Sequence, residues 1–157
     1  MIWRKVVKNS DVDRIRSLVA STNMFTKEEI NIATELVSER IEHGRSSGYE
    51  FLLALKYHEL AGFTCYGKIP GTESSFDLYW IAVDPGRQGQ GYGRQLLDRT
   101  EDAVREVGGR RLYAETSSTA GYDDTRRFYD RTGFKKVAEL PDFYHPGDGK
   151  VIYEKHM

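Results

Sequence analysis

Two rhythms of apolar and polar positions alternate along the chain. Ile2–Val7 alternates closely enough for a short strand. Val12, Ile15, Leu18 and Val19 then recur at helical spacing, and Ile30, Ala33, Leu36, Val37 and Ile41 do so again. Each run opens on a start signal. Ser10 has a carboxylate three residues on at Asp13, and Thr26 has Glu29, the pattern of a capping box. Gly44 ends the second helix. From Tyr49 the period drops to two. Tyr49, Phe51, Leu53 and Leu55 alternate with Glu50, Leu52, Ala54 and Lys56, and Gly62 is expected to close a hairpin into Phe63–Tyr66.

Phe76–Val83, FDLYWIAV, is apolar on both faces apart from Asp77, which predicts a central strand covered on both sides. It runs into a cluster of glycines, and a helix over 91–107 follows with Leu96, Leu97, Thr100, Ala103, Val104 and Val107 as its apolar stripe. Gly108-Gly109 ends that helix. Arg111–Thr116 reads as strand, Asp123–Arg131 as helix, and Phe134–Leu140 and Val151–Lys155 as two further strands. The predicted order is β-α-α-β-β-β-α-β-α-β-β, a single mixed α/β domain over 1–157 with at least one β-α-β crossover. No linker, repeat or low-complexity segment interrupts it.

Composition narrows the function classes. At 39% hydrophobic and 30% charged the chain is too apolar for a disordered one. A formal net charge of −1 provides no long-range attraction for nucleic acid or an anionic membrane. The basic pairs Arg110–Arg111, Arg126–Arg127 and Lys135–Lys136 lie among acids and read as solvated faces. One cysteine, Cys65, rules out an internal disulfide and a multi-cysteine zinc site, and its apolar surroundings suggest a buried thiol. The four histidines show no metal-ligand spacing. With neither a signal peptide nor an apolar run near ~20 residues, a cytoplasmic location is the default expectation.

The glycines at 86, 89, 91 and 93 demand a reason, because glycine costs roughly 0.5–1 kcal/mol against alanine inside a regular element. A strand passing through glycines into a helix is a general recipe for an anion site. The first helical N–H groups lack partners, and the helix dipole adds positive charge there. A tight turn would explain one or two glycines; four suggest a phosphate cradle. The P-loop pattern wants Lys-Ser/Thr after its last glycine, where Arg94-Gln95 stands. The dinucleotide fingerprint wants glycine or alanine at 94 and an early β-α-β unit. Neither fits.

Gln88-Gly89-Gln90-Gly91-Tyr92-Gly93 instead resembles the R/Q-x-x-G-x-G/A signature of the GNAT superfamily of acetyl-CoA-dependent N-acetyltransferases. Further on, Phe128-Tyr129-Asp130-Arg131-Thr132-Gly133-Phe134 resembles the family's second signature, a helix with a tyrosine followed by Gly-Phe into a strand. The order of elements matches from end to end. The resemblance implies a mostly antiparallel central sheet in which the parallel strands 76–83 and 111–116 splay apart, with acetyl-CoA as cosubstrate and no metal.

Residue roles follow from that resemblance. Backbone groups of Ile81, Ala82 and Val83 would meet the pantetheine arm. Gln88, Gly89, Gln90, Gly91, Tyr92, Gly93 and Arg94 would hold the pyrophosphate, with Arg87 a further cationic candidate. Tyr129 stands where the family places its proton-donating tyrosine. Tyr122 occupies a position where many members carry a cofactor-contacting asparagine. Removal of the amine proton needs a base, and Asp77, the lone charge of its strand, competes with Glu115 for that role. The bland reading of Glu115 is a salt bridge, for which Arg111 shares its face. The expected acceptor is a small-molecule or peptide primary amine, and the resemblance admits a homodimer. Within PDFYHPGDGK, read as a loop between the last strands, Phe143, Tyr144 and His145 are candidates for acceptor or dimer contacts. Asp142, Asp148 and Glu73 would suit a cationic amine. A catalytically silent acyl-CoA-binding module is the alternative function.

Overall fold

The computed structural model describes residues 1–157. Seven strands and four helices follow the expected alternation: β1 (Ile2–Arg4), α1 (Ser10–Ser21), α2 (Lys27–His43), β2 (Glu50–Lys56), β3 (Glu59–Lys68), β4 (Ser75–Val83), α3 (Tyr92–Glu106), β5 (Arg111–Ser117), α4 (Asp123–Arg131), β6 (Lys135–His145) and β7 (Asp148–His156). Short 3-10 turns are added at Gly44–Ser47, Pro85–Arg87 and Ala120–Tyr122. No helix is long and apolar enough to cross a membrane.

The chain forms two compact units. One comprises Met1–Gly67 with Trp80–Asp102, the other Lys68–Tyr79 with Ala103–Met157. In the first, strands neighbour in the order β1-β2-β3-β4. Strand β2 is buried on both faces. Phe51, Leu53 and Leu55 join Phe63, Ile15, Val19 and Val37 in one core, while Leu52 and Ala54 join Ala61 and Leu96 in another. The β2–β3 turn is made by Tyr57 and His58, both at positive φ (52° and 66°). Gly62, expected at that turn, lies inside β3 opposite Ala54, next to a register shift at Ala54/Leu55.

Helix starts differ in how their free N–H groups are satisfied. Thr26 and Glu29 form the expected capping box, with hydrogen bonds of 3.2 and 3.1 Å. Ser10 does not cap α1. It is already helical, and Asn9 before it makes no side-chain cap. Asp11 instead reaches back toward the strand before the helix. Its fully buried carboxylate accepts from the Lys8 N–H at 2.7 Å and from both terminal nitrogens of Arg4 at 2.8 and 2.9 Å. One residue thereby ties β1 to α1.

In the second unit the order is β4-β5-β7-β6, so the last strand in sequence lies inside the sheet and β6 is the outer strand. The parallel β4–β5 ladder runs from Ser75 with Arg111 to Leu78 with Ala114. Helix α3 ends at Glu106, Gly108 turns left-handed, and Gly109 permits the tight return, since a Cβ there would lie 2.2 Å from Val104 Cγ1 and 2.9 Å from the Phe76 ring. Val107, expected in the apolar stripe, falls beyond the helix and is exposed. The segment PDFYHPGDGK is mostly not a loop. β6 extends through His145 and β7 starts at Asp148, leaving Pro146-Gly147 as the turn.

Asp11 supplies a test. Burial alone pushes its carboxyl up, but hydrogen bonds from Arg4 and Lys8 and the neighbouring guanidinium charges outweigh that and hold it below the ordinary carboxylate range. A depressed group stabilises the fold above its unfolded pKa, near 3.9, and that contribution is lost as pH falls through the folded value. Asp11→Ala, which strands Arg4, is expected to cost about 3 kcal/mol at pH 7 in urea denaturation. The gap from wild type should narrow below about pH 4; a gap constant with pH would sink the ion-pair account.

Candidate functional site

The first unit contains the glycine cradle. After Val83, the Asp84 carboxylate accepts from the Gly86 N–H at 2.9 Å, and the Asp84 N–H donates to the Ala61 carbonyl at 2.9 Å. These bonds pin the end of β4 before the chain turns. Gly89 and Gly91 adopt φ of +76° and +84°, a region that costs a side-chain-bearing residue roughly 1–2 kcal/mol. The first bond into α3 runs from Gln95 N–H to the Gly91 carbonyl at 3.1 Å. The N–H groups of Tyr92, Gly93 and Arg94 therefore precede the helical ladder, the arrangement that receives an anion.

The four glycines are not equivalent. Gly86 has no left-handed φ, and a Cβ on it would make only an ordinary contact, 3.5 Å from Asp84 Oδ1. Backbone conformation requires glycine at 89 and 91. A fifth glycine, which motif reasoning missed, matters more for shape. A Cβ on Gly62 would lie 2.8 Å from the Ala82 carbonyl oxygen and 2.9 Å from Leu96 Cδ1. Only a bare Cα lets β3, the end of β4 and α3 meet so closely. Its one sequence-level signal is a glycine inside a strand.

Side chains around the cradle are largely committed. Gln88 Nε2 donates to the Val83 carbonyl at 3.3 Å, and the Tyr92 hydroxyl accepts from Lys56 Nζ at 3.2 Å. Arg87 pairs with Glu59 and Asp84, and Arg94 Nε bonds Asp98 at 3.0 Å. Gln90 is exposed, as are Gln88, Gly89 and Gly91. Ile81 and Val83 pack on the Leu52–Leu96 side of the sheet, while Ala82 is buried among the opposite core. The α3 helix is fastened to β3 by a buried hydroxyl pair, Thr64 with Thr100 at 2.7 Å. Cys65 is fully buried, and burial pushes its thiol well up, so it offers no nucleophile.

The second unit contains the titratable candidates. Tyr129 is buried on α4 between Phe134 and Tyr153, with ring centroids 5.1 and 5.2 Å away. Burial, and then the neighbouring Tyr153, pushes its phenol up, further from ionisation than an ordinary tyrosine. The helix stops where Gly133 turns left-handed, at φ +95°, and the Phe134 N–H returns to the Tyr129 carbonyl at 3.1 Å. That is the physical content of the Tyr-to-Gly-Phe spacing. Tyr122 sits at the start of α4, on a loop held by Arg126, whose guanidinium donates to the carbonyls of Ser117 at 2.6 Å and Thr119 at 2.9 Å. Arg126 is thus a structural staple rather than part of a solvated basic pair.

Asp77 and Glu115 come together, and Tyr129 does not join them. Asp77 pairs with Tyr113 across the parallel ladder, so Asp77, Tyr113 and Glu115 share one face. Tyr153, paired with Ala114, lies on the other face, and Tyr129 packs there. Glu115 is ion-paired, but with Lys150 at 2.7 Å rather than with Arg111. Burial, followed by the Glu115 charge, pushes the Asp77 carboxyl up, and Lys150 partly offsets this. Two acids proposed for a cationic amine serve the hairpin instead. Asp142 accepts from the Gly147 N–H at 2.8 Å, and Asp148 bonds Ser117 and pairs with His145. Phe143, Tyr144 and His145 lie on β6, outside any loop.

The mixed α/β fold, with its strand–glycine–helix junction before α3, is that of an acetyltransferase family: the chain belongs to the GNAT acetyltransferase family, whose model matches residues 16–134. It is 38% identical over 73 residues to a mycothiol acetyltransferase of Beutenbergia cavernae, a stretch that is 45% of this chain and 23% of that protein's length. A crystal structure described as a GNAT-family acetyltransferase from Desulfovibrio desulfuricans is 46% identical, covers 99% of this chain and 98% of its own, and has a TM-score of 0.95. An aminoglycoside 6′-N-acetyltransferase complexed with coenzyme A shares the fold at 20% identity and a TM-score of 0.77, covering 99% of this chain and 97% of its own.

The glycines separate two kinds of requirement. Gly62→Ala, which collides with backbone, is expected to destabilise by about 1–3 kcal/mol. Gly86→Ala should stay within about 0.5 kcal/mol of wild type. Thermal melts of the two variants check the ranking, and equal losses would contradict the close-approach reading of Gly62.

Proposed function

We propose that the protein transfers an acetyl group from acetyl-CoA directly to a primary amine. The observation that carries this is the cradle, where two left-handed glycines present the first N–H groups of α3 without side chains in the way. Those N–H groups, from Tyr92 to Arg94, would take the pyrophosphate, and backbone groups of Ile81–Val83 the pantetheine amides. Arg94 is solvent-exposed, and its single ion pair with Asp98 is weak enough to exchange for a phosphate. Arg87, paired twice, is a poorer candidate.

Transfer needs a neutral amine, a polarised thioester carbonyl and a proton for the departing sulfur. An amine with pKa near 10.4 is almost wholly protonated at pH 7, so a carboxylate must take its proton, directly or through water. The nitrogen lone pair then attacks the carbonyl carbon, and the carbon–sulfur bond breaks. Tyr129, protonated in its apolar setting, is suited to donate to the departing thiolate. Its raised phenol makes it a hydrogen-bond donor first and a proton source second. Cys65, buried and protonated, supplies no covalent route.

A thermal-shift titration with acetyl-CoA, with NAD and ATP as controls, tests the donor. At 100 times the dissociation constant a ligand adds about 2.7 kcal/mol, a shift of roughly 5–11 °C for a domain this size. No shift at millimolar acetyl-CoA would remove the basis of the reading. Tyr129→Phe tests the chemistry. Release of free thiol with an amine panel should fall by about 10²-fold or more in kcat, while acetyl-CoA affinity stays within about twofold. Equal loss of both would turn Tyr129 into a packing residue. Binding without thiol release from any amine would favour the silent acyl-CoA-binding module.

A further inference from the structure

We propose that Lys150 is a positioning residue that divides two carboxylates between roles, holding Glu115 as its ion-pair partner and leaving Asp77 as the group that takes the amine proton. This rests on the acetyl-transfer reading above and assigns the base, which sequence alone left open between Asp77 and Glu115. The geometry lies within one unit and one sheet face. Asp77 on β4 is opposite Tyr113 on β5, Glu115 is two residues further along β5 on the same side, and Lys150 on β7 pairs with Ser117, again on that side.

The Lys150 ammonium is held from two directions. Its Nζ lies 2.7 Å from Glu115 Oε2 and 4.3 Å from the centroid of the Phe143 ring. Its side chain is only 16% exposed, whereas Glu115 is 46% exposed. A cation so enclosed, over an aromatic face and against a carboxylate, has little freedom to pair elsewhere. The other polar groups on the face are already engaged. Tyr113 donates to Glu154 at 2.8 Å, Glu154 also pairs with His156, and Asp148 takes Ser117 and His145. Arg111 lies at the far end of β5 from Glu115. Asp77 is the carboxylate of this face left without an ion pair.

The division has a chemical purpose. A carboxylate locked to an ammonium is a poor proton acceptor, because protonation would break the pair. An unpaired, half-buried carboxylate beside a second, neutralised one is a better match to an amine's proton. In the transfer, the acceptor's N–H proton goes to Asp77, the nitrogen forms the new amide bond, and the thioester electron pair leaves on sulfur.

The experiment reads Asp77 directly. Carboxyl ¹³C NMR titrates the intact protein, with the Asp77 resonance assigned by its loss in Asp77→Asn. Removing the negative neighbour in Glu115→Gln leaves Lys150 unneutralised and should move the Asp77 midpoint down. Removing the cation in Lys150→Met leaves Glu115 unneutralised and should move it up. Lys150→Arg, which keeps the charge, should return it close to wild type and guards against a loss caused by misfolding. Opposite shifts with rescue by arginine support the proposal; no shift, or shifts of the same sign, overturn it. Thiol release by Asp77→Asn is the separate arm. If that variant keeps full activity, Asp77 is not the base whatever the titrations show. If it loses activity while the titrations stay put, acetyl transfer through Asp77 stands and the role of Lys150 falls.

Discussion

A peptide N–H at the start of a helix has no carbonyl behind it, and α3 opens with three such groups, those of Tyr92, Gly93 and Arg94, ahead of its first ladder bond. Several otherwise costly features follow. Gly89 and Gly91 accept left-handed backbone so that the chain can curl without side chains over those N–H groups. Gly62 gives up a side chain inside a strand so that Ala82 and Leu96 can close on it. Thr64 and Thr100 place two hydroxyls in a core, each satisfied only by the other, and so fix the helix to the strand behind it. The side chains of the motif mostly hold the loop, and its backbone carries the helix-start N–H groups.

The second unit solves a different problem, that of keeping titratable groups in defined states. Separation by sheet face is the means. Tyr129, packed against Tyr153 and Phe134, is held still further from ionising because an apolar surrounding penalises the phenolate. Asp77 and Glu115 lie on the opposite, more open face, where charge acts on charge. The chain thus keeps a buried phenol and two carboxylates in unlike environments, the kind of separation that pushes titratable groups apart.

Features written in neighbouring residues were legible in the sequence. The Thr26–Glu29 capping box, the left-handed glycines between β4 and α3 and the tyrosine before Gly-Phe each depend on a handful of consecutive positions, and each appears where the pattern placed it. Misreadings came from residues whose partners are remote. Nothing local marks Lys150 as the partner of Glu115, because the register of β5 against β7 brings them together. Ser10 has the residue type of a cap, yet α1 has no side-chain cap, and the carboxylate next to Ser10 pairs with Arg4 instead. Tyr57 and His58 form a positive-φ turn that composition would assign to glycine, so Gly62 was placed at the wrong corner. Asp142 and Pro141 read as loop residues because a strand that carries them must be an outer one.

That outer strand has a consequence for how molecules meet. β6 carries Val137, Leu140, Phe143 and Tyr144 at the surface, a composition that invites sheet-to-sheet growth. Its ladder with β7 is broken at Lys136/Ala138 and again between Leu140 and His145, Pro141 offers no N–H, and Asp142 turns left-handed. An incoming strand would find no continuous row of donors and acceptors to copy. That irregular edge works against sheet-to-sheet growth, so the apolar side chains of the hairpin are displayed on a strand that is a poor template for another.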